Sequence, residues 1–220
     1  MNMSNSGVII WLVAGTLSYL VGAVPTGLLT GLAKGVDIRK IGSGNIGATN
    51  VLRALGKGWG LFTLVIDALK GLVPVLLFPM VAEKITGRVQ TSELSLLCGV
   101  LAVMGHNWPV YLGFKGGKGV ATSTGALVGL APWCALAGFG VWLLVFLSTR
   151  YVSLASISAA VAICVLAWVT TMKDGFVLPL VLTLLAIILI WKHRENIGRL
   201  LRGNENRIEL RKKKGLEGTP

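Results

Sequence analysis

Charge is scarce in this 220-residue sequence: Asp, Glu, Lys and Arg together make up 14%, too few to clothe a water-soluble globule of that size. Acidic residues are the rarer sign, nine against 21 lysines and arginines. Cysteine is almost absent, and Cys98, Cys134 and Cys164 stand singly in apolar stretches with no C-x-x-C pair. That excludes a disulfide framework and a zinc site, and neither a metal nor another cofactor is expected. Residues 1–7 contain no Lys or Arg, and the apolar run that follows is too long for a signal-peptide core, so it reads as a retained span. No repeat, low-complexity block or linker divides the chain. One membrane domain over 1–220 is expected, with a helical core at 8–206 and a basic, disordered tail at 207–220.

What is present is hydrocarbon: 54% hydrophobic residues and a mean hydropathy of +0.75. Runs at 8–32, 61–82, 133–147 and 176–191 approach the roughly 20 apolar residues that cross a bilayer. The net charge of +12 does not point to nucleic acid, because the basic residues flank these runs. Lys34, Arg39, Lys40, Arg53 and Lys57 fall in one polar loop, Lys115 and Lys118 in a second, Arg150 in a third, and nine more lie between Lys192 and Lys214. Excess Lys and Arg mark the cytoplasmic side, so these four segments are expected to share it. With an uncharged N-terminus outside and a basic C-terminus in the cytoplasm, the number of crossings is odd. Residues 119–148 would be one overlong helix; dividing them at Ala131-Pro132-Trp133 yields seven spans, with five as the fallback. The expectation is an all-α, polytopic helical bundle.

Three polar segments exceed what connectors need. The first, VDIRKIGSGNIGATNVLRALGKG, contains a G-x-G-x-x-G, but a span rather than a β-strand precedes it, which excludes a dinucleotide fingerprint. Its glycines allow backbone amides to converge on an anion. Ser43, Gly44, Asn45, Gly47, Thr49 and Asn50 are the candidate phosphate contacts, and Arg53 adds a cation suited to oxyanions. The second, GHNWPVYLGFKGGKGVATSTG, lacks the register of a nucleotide-binding P-loop. Lys115, Gly116, Gly117, Lys118, Gly119 and Thr122 there form a second candidate phosphate site. The third, WKHRENIGRLLRGNE, is expected to continue the last span into water as a helix, with His193 and Asn196 on one face. Ser153, just after Arg150, is a further candidate donor, with Ser156 beside it. Asp67 and Lys70, one turn apart inside a span, are expected to pair in a structural or gating role.

Taken together, GSGNIGATN with Arg53, HNWPVYLGFKGGKGVAT, and HRENIGRLL with Glu205 resemble the three motifs of the bacterial acyl-phosphate:glycerol-3-phosphate acyltransferase family, integral membrane enzymes of phospholipid synthesis. The resemblance runs from about Tyr19 to Glu205. It implies transfer of a fatty acyl group from acyl-phosphate to the 1-position of glycerol 3-phosphate, with lysophosphatidate and phosphate as products. It implies that the second motif holds glycerol 3-phosphate, that Ser43 and Arg53 are essential, that His193 and Asn196 take part, and that Glu205 is more structural. It also implies an inner-membrane enzyme whose active site faces the cytoplasm and whose partners are the two substrates and membrane lipids. No H-x-x-x-x-D follows either histidine, so the proton acceptor is open between His193 and a substrate phosphate oxygen. The rival from another class is a transporter of a phosphorylated solute, which also uses glycine-broken helices.

Overall fold

Most breaks between helices fall at proline or glycine, and the breaks decide where polar groups collect. The computed structural model describes residues 5–87 and 92–208. Helix α1 (Asn5–Ala23) stops before Pro25 and resumes as α2 (Thr26–Ala33), the two forming one apolar passage. The first polar loop leads through α3 (Ala48–Leu55) into α4 (Lys57–Thr86), whose 30 residues rise ~45 Å despite Pro74 and Pro79. Next come α5 (Ser92–Asn107), the second polar loop, α6 (Val120–Leu130) and α7 (Pro132–Thr149). Pro132 opens α7, where its missing N–H costs nothing. The expected division at this proline is therefore where the helix breaks. Helices α8 (Val152–Thr170), α9 (Val177–Lys192) and α10 (Arg194–Leu201) complete the helices of the described residues. No β-strand occurs among the described residues.

Lipid, not water, suits the outside. Large apolar side chains face outward along the helices, among them Leu12, Leu61, Phe139, Leu144 at 68% and Val169 at 76% exposure. Inside, the contacts are made by small residues. A Cβ on Gly22 would fall on the Ala102 carbonyl, and one on Gly105 on the Tyr19 carbonyl, locking α1 to α5 backbone to backbone. Gly71 and Gly125 do the same between α4 and α6, against the Thr122 and Ala68 carbonyls. Such close approach is how membrane helices gain packing energy when lipid supplies no hydrophobic drive between them. In each pair the helices run in the same direction: Gly15 meets Leu97 and Leu101 while Gly105 meets Tyr19, and Gly129 meets Val75 while Gly71 meets Thr122.

Among the described residues five helices are long and apolar enough to cross a membrane, and α9 with α10 makes a sixth as a bent pair. At 11 residues, α6 rises only ~16 Å. One expectation is corrected here. The last span does not continue straight into α10, because the axis turns by 56° at His193. The His193 amide is shared between the Leu189 and Ile190 carbonyls, a local tightening that ends α9. A second correction concerns the start of the tail. Ile208 N donates to the Arg150 carbonyl and the Arg207 guanidinium lies over Tyr151, so these two positions are docked. The remainder of the expected tail, 209–220, lies outside the described residues.

Candidate active site

Each polar segment is shaped by its own backbone before it meets the others. In the first, Gly42 and Gly44 adopt φ of +59° and +67°, which side-chain-bearing residues rarely adopt. Asn50 closes the loop: its Nδ2 donates to the Ile38 and Ile41 carbonyls at 2.8 and 3.0 Å, and its Oδ1 accepts the Ser43 N–H at 3.1 Å. Asn50 is thus a loop-builder, not the free donor expected, since both of its N–H groups are already given to backbone carbonyls. Asn45 Oδ1 accepts the Gly47 N–H at 2.9 Å, turning the chain into α3. Ile38, Ile46, Val51 and Leu28 bury the underside of the loop against α2. The Ser43 and Thr49 hydroxyls make no hydrogen bond among the described residues, and both side chains are partly accessible.

The second segment folds back on the end of α5. The Gly117 N–H donates to the His106 carbonyl at 3.0 Å, and a Cβ on Gly117 would fall on His106 Nε2. Gly119, at φ +77°, caps α6 with its carbonyl receiving the Ser123 N–H at 2.7 Å. Lys115 is exposed, with no hydrogen bond from its ammonium among the described residues, whereas Lys118 points inward. Thr122 is fully buried beneath the loop and its hydroxyl is unpartnered.

The third segment joins them. Lys118 Nζ donates to Asn196 Oδ1; Asn196 Nδ2 donates to Glu205 Oε1 at 2.7 Å; Ser153 Oγ donates to the same oxygen at 3.0 Å; and Arg199 Nε donates to Glu205 Oε2 at 2.7 Å. Arg53 reaches across from the first segment to the Asn206 carbonyl at 3.4 Å. Ser153, expected to meet substrate, instead holds Glu205. Ser156 donates to the Val152 carbonyl and accepts from Trp142 Nε1, so it belongs to the packing of α7 on α8. His193 is buried, with Nδ1 2.8 Å from the Leu189 carbonyl. A carbonyl only accepts, so Nδ1 carries the proton and Nε2 of the neutral ring offers a lone pair.

Three cations, Arg53, Lys118 and Arg199, therefore surround one carboxylate, and the surplus positive charge suits phosphorylated ligands. Burial, reinforced by Arg199 and Arg53, pushes Lys118 down to about 8, against the opposing pull of Glu205 and Glu195. Burial likewise lowers Arg53 from its usual value, with Glu205 opposing and Arg199 adding to the effect. Burial raises the Glu205 carboxyl, but the bonds from Asn196, Arg199 and Ser153 outweigh this and hold it below its ordinary 4.5. Among the described residues no group of three His, Cys, Asp or Glu gathers as a metal site would require.

Arg199 is the site residue that sequence reasoning undervalued. Its signal was the turn at Gly203, φ +71°, which reverses the chain so that Glu205 comes back onto α10. Asp67 and Lys70 pair at 2.7 Å, as expected, but beside His106 rather than in isolation.

Comparison with known proteins covers nearly all of this architecture. The family model described as glycerol-3-phosphate acyltransferase matches residues 12–203. A glycerol-3-phosphate acyltransferase of Desulforudis audaxviator is 48% identical over 204 residues, spanning 89% of this chain and 94% of the relative. One from Aquifex aeolicus is 44% identical, spanning 87% and 95%. Crystal structures of PlsY (YgiH), an integral membrane glycerol 3-phosphate acyltransferase, superpose with TM-scores of 0.79 in the glycerol 3-phosphate form and 0.76 in the lysophosphatidic acid form. They are 41% and 40% identical, and each alignment covers 90% of this chain and 96% or 95% of the other.

Proposed function

The chain belongs to the glycerol-3-phosphate acyltransferase family, and from that membership we propose that it moves a fatty acyl group from acyl-phosphate to the 1-hydroxyl of glycerol 3-phosphate. The observation that carries this reading is the meeting of all three polar segments at one end of the bundle, through Lys118, Asn196, Glu205 and Arg53. Related structures holding glycerol 3-phosphate and lysophosphatidic acid support the acceptor and the product.

Chemically, an acyl-phosphate is a mixed anhydride, so the activation is already in the substrate. The 1-hydroxyl oxygen attacks the acyl carbon, the bond from that carbon to the phosphate oxygen breaks, and lysophosphatidate forms. Charge balances when the hydroxyl proton ends on the departing phosphate, leaving hydrogen phosphate. His193 Nε2 or the phosphate oxygen itself accepts that proton first. Lys118 and the glycine loop bind the phosphate of glycerol 3-phosphate, with Lys115 at its rim and Gly119 and Thr122 supporting it. Arg53, Ser43 and the amides around Gly44, Gly47 and Thr49 bind the phosphoryl group of the donor. Asn196, fixed between Lys118 and Glu205, aligns the attacking hydroxyl. Holding two substrates in register, with donors aimed at the developing oxyanion, supplies the acceleration.

Seven passages, counting α6 and α9, fit the shared directions of α1 with α5 and of α4 with α6. On that count the four basic segments share one side, which the positive-inside rule makes the cytoplasmic face of a bacterial inner membrane. A transporter is disfavoured because it wants its polar site near the midplane.

Purified protein in detergent, given labelled glycerol 3-phosphate and either acyl-phosphate, acyl-CoA or acylated carrier protein, tests the activity. Labelled lysophosphatidate from acyl-phosphate alone is expected; product from a thioester and none from acyl-phosphate would overturn the donor assignment. Cysteines placed at Lys34, Lys115 and Arg202 are expected to react only with a permeant thiol reagent in intact cells. Labelling of any one by an impermeant reagent refutes the shared side.

A further inference from the structure

The ion pair inside α4 has no part in the chemistry above. Asp67 and Lys70 are only 3% and 6% exposed, and charges placed within a membrane helix are costly enough to imply a use. Lys70 has two further neighbours. Its Nζ donates to the Val24 carbonyl at 2.7 Å, at the break between α1 and α2, and lies 3.4 Å from His106 Nδ1. Asp67 Oδ1 is 3.9 Å from the same ring nitrogen. An ammonium only donates, so Nδ1 accepts and the ring proton sits on Nε2. That Nε2 edge occupies the space in which a Gly117 side chain would stand, while the His106 carbonyl receives the Gly117 N–H. The glycine loop is thus braced twice by one residue, through its ring and through its backbone.

We propose that Asp67 and Lys70 are positioning residues: by orienting the His106 ring they set the height of the Gly116–Gly117 backbone and so tune binding of glycerol 3-phosphate. The inference rests on the reading that this loop holds glycerol 3-phosphate. It accounts for a full ion pair where a polar side chain would suffice, because Lys70 must be held between two helices while Asp67 balances its charge. Breaking such a pair on one side leaves a lone buried charge, whereas removing both partners does not. The informative variant is therefore Asp67→Asn/Lys70→Met.

In detergent-purified enzyme, the double variant is expected to raise both the glycerol 3-phosphate KM and its calorimetric Kd about tenfold, equivalent to about 1.4 kcal/mol, with the acyl-phosphate KM within about twofold. In a His106→Phe background, which keeps a ring under Gly117 but cuts its link to the pair, the same double change is expected to add less than about twofold, because coupled sites are non-additive. Full additivity in that background, or a parallel rise of both KM values, would mean that the pair merely stabilises α4, and overturns the proposal. An unchanged glycerol 3-phosphate KM in the double variant does so as well. Should the native enzyme neither bind nor acylate glycerol 3-phosphate, the underlying reading falls and takes this proposal with it; native activity with unaltered variants removes the proposal alone.

Discussion

Glu205 is the point at which the site can be broken with the least change of shape. Its Oε1 accepts from Asn196 and Ser153 and its Oε2 from Arg199, with the side chain 4% exposed. Glu205→Gln preserves volume but turns one oxygen into a donor. If the amide oxygen faces Asn196 and Ser153, its NH2 meets the Arg199 Nε–H, donor against donor. If it is reversed, Asn196 must flip to accept, and then its own NH2 faces the Lys118 ammonium. Donors run one way along Lys118, Asn196 and Glu205, so no rotation restores the set. One charge-assisted bond is lost in either case, about 1.5–3 kcal/mol at a shielded position, unlike the roughly 0–1 kcal/mol of an exposed pair. As a loss of correctly ordered site, that is about 10- to 150-fold.

Phosphate release from acyl-phosphate, coupled to added glycerol 3-phosphate, is the assay: kcat/KM of Glu205→Gln should fall within that range, and Glu205→Ala, which strands three donors, should fall further. The pH response has a defined sign. Because the folded carboxyl lies below its ordinary 4.5, its contribution is complete above 4.5 and disappears as pH falls through the lower folded value. Native enzyme should therefore lose stability in that acid window more steeply than Glu205→Gln. A folded Gln variant with activity within about twofold of native, and the same acid profile, would show that the carboxylate does not organise the site.

Lys118, lowered to about 8, is charged below that pH and neutral above it, so the glycerol 3-phosphate KM should rise about tenfold between pH 7 and 9. Lys118→Arg, which stays protonated, should flatten the rise even if its KM is higher throughout; an identical slope refutes the assignment. Gly117→Ala sets a methyl against His106 Nε2 and should raise the glycerol 3-phosphate KM by at least about tenfold, with the acyl-phosphate KM nearly unchanged. Equal changes in both KM values would detach the loop from that substrate. Asn50→Ala removes two donated bonds and one accepted bond from a buried loop and should cost about 2–4 kcal/mol, visible as a lower Tm and lost turnover. An unaltered Tm would mean that the loop closes without it.

The helix break at Pro132 was legible because its cause is local. Pro132 ends one helix and starts another by its own covalent structure. The bend at His193 was not legible, since Trp191-Lys192-His193-Arg194-Glu195 contains no proline or glycine. It arises where α9 meets α5, with Lys192 bonding the Asn107 carbonyl at 2.9 Å and stacking over Trp108. Asn50 and Ser153 were assigned to the ligand because a polar side chain near a phosphate motif looks the same whether it faces substrate or backbone. Only the positions of the Ile38 and Ile41 carbonyls, and of Glu205, separate the two. The Asp67–Lys70 pair was read without His106 because the two come from different helices, and spacing along one helix carries no information about the other.

The glycines deep in the bundle bear on the chemistry at its end. The second polar loop is strung between the last turn of α5 and the first turn of α6, so the heights of those two helices fix where Lys118 and Gly117 stand. Each height is set by a backbone contact: α5 by Gly22 and Gly105 against α1, and α6 by Gly71 and Gly125 against α4. No long side chain intervenes to absorb a shift, and one turn of sliding would carry the loop ~5.4 Å along the axis. That is more than the reach of the bond from Lys118 to Asn196. An enzyme that must bring an acceptor hydroxyl onto an acyl carbon thus places its least adjustable contacts beneath the loop, and leaves Lys115 exposed at the loop's edge.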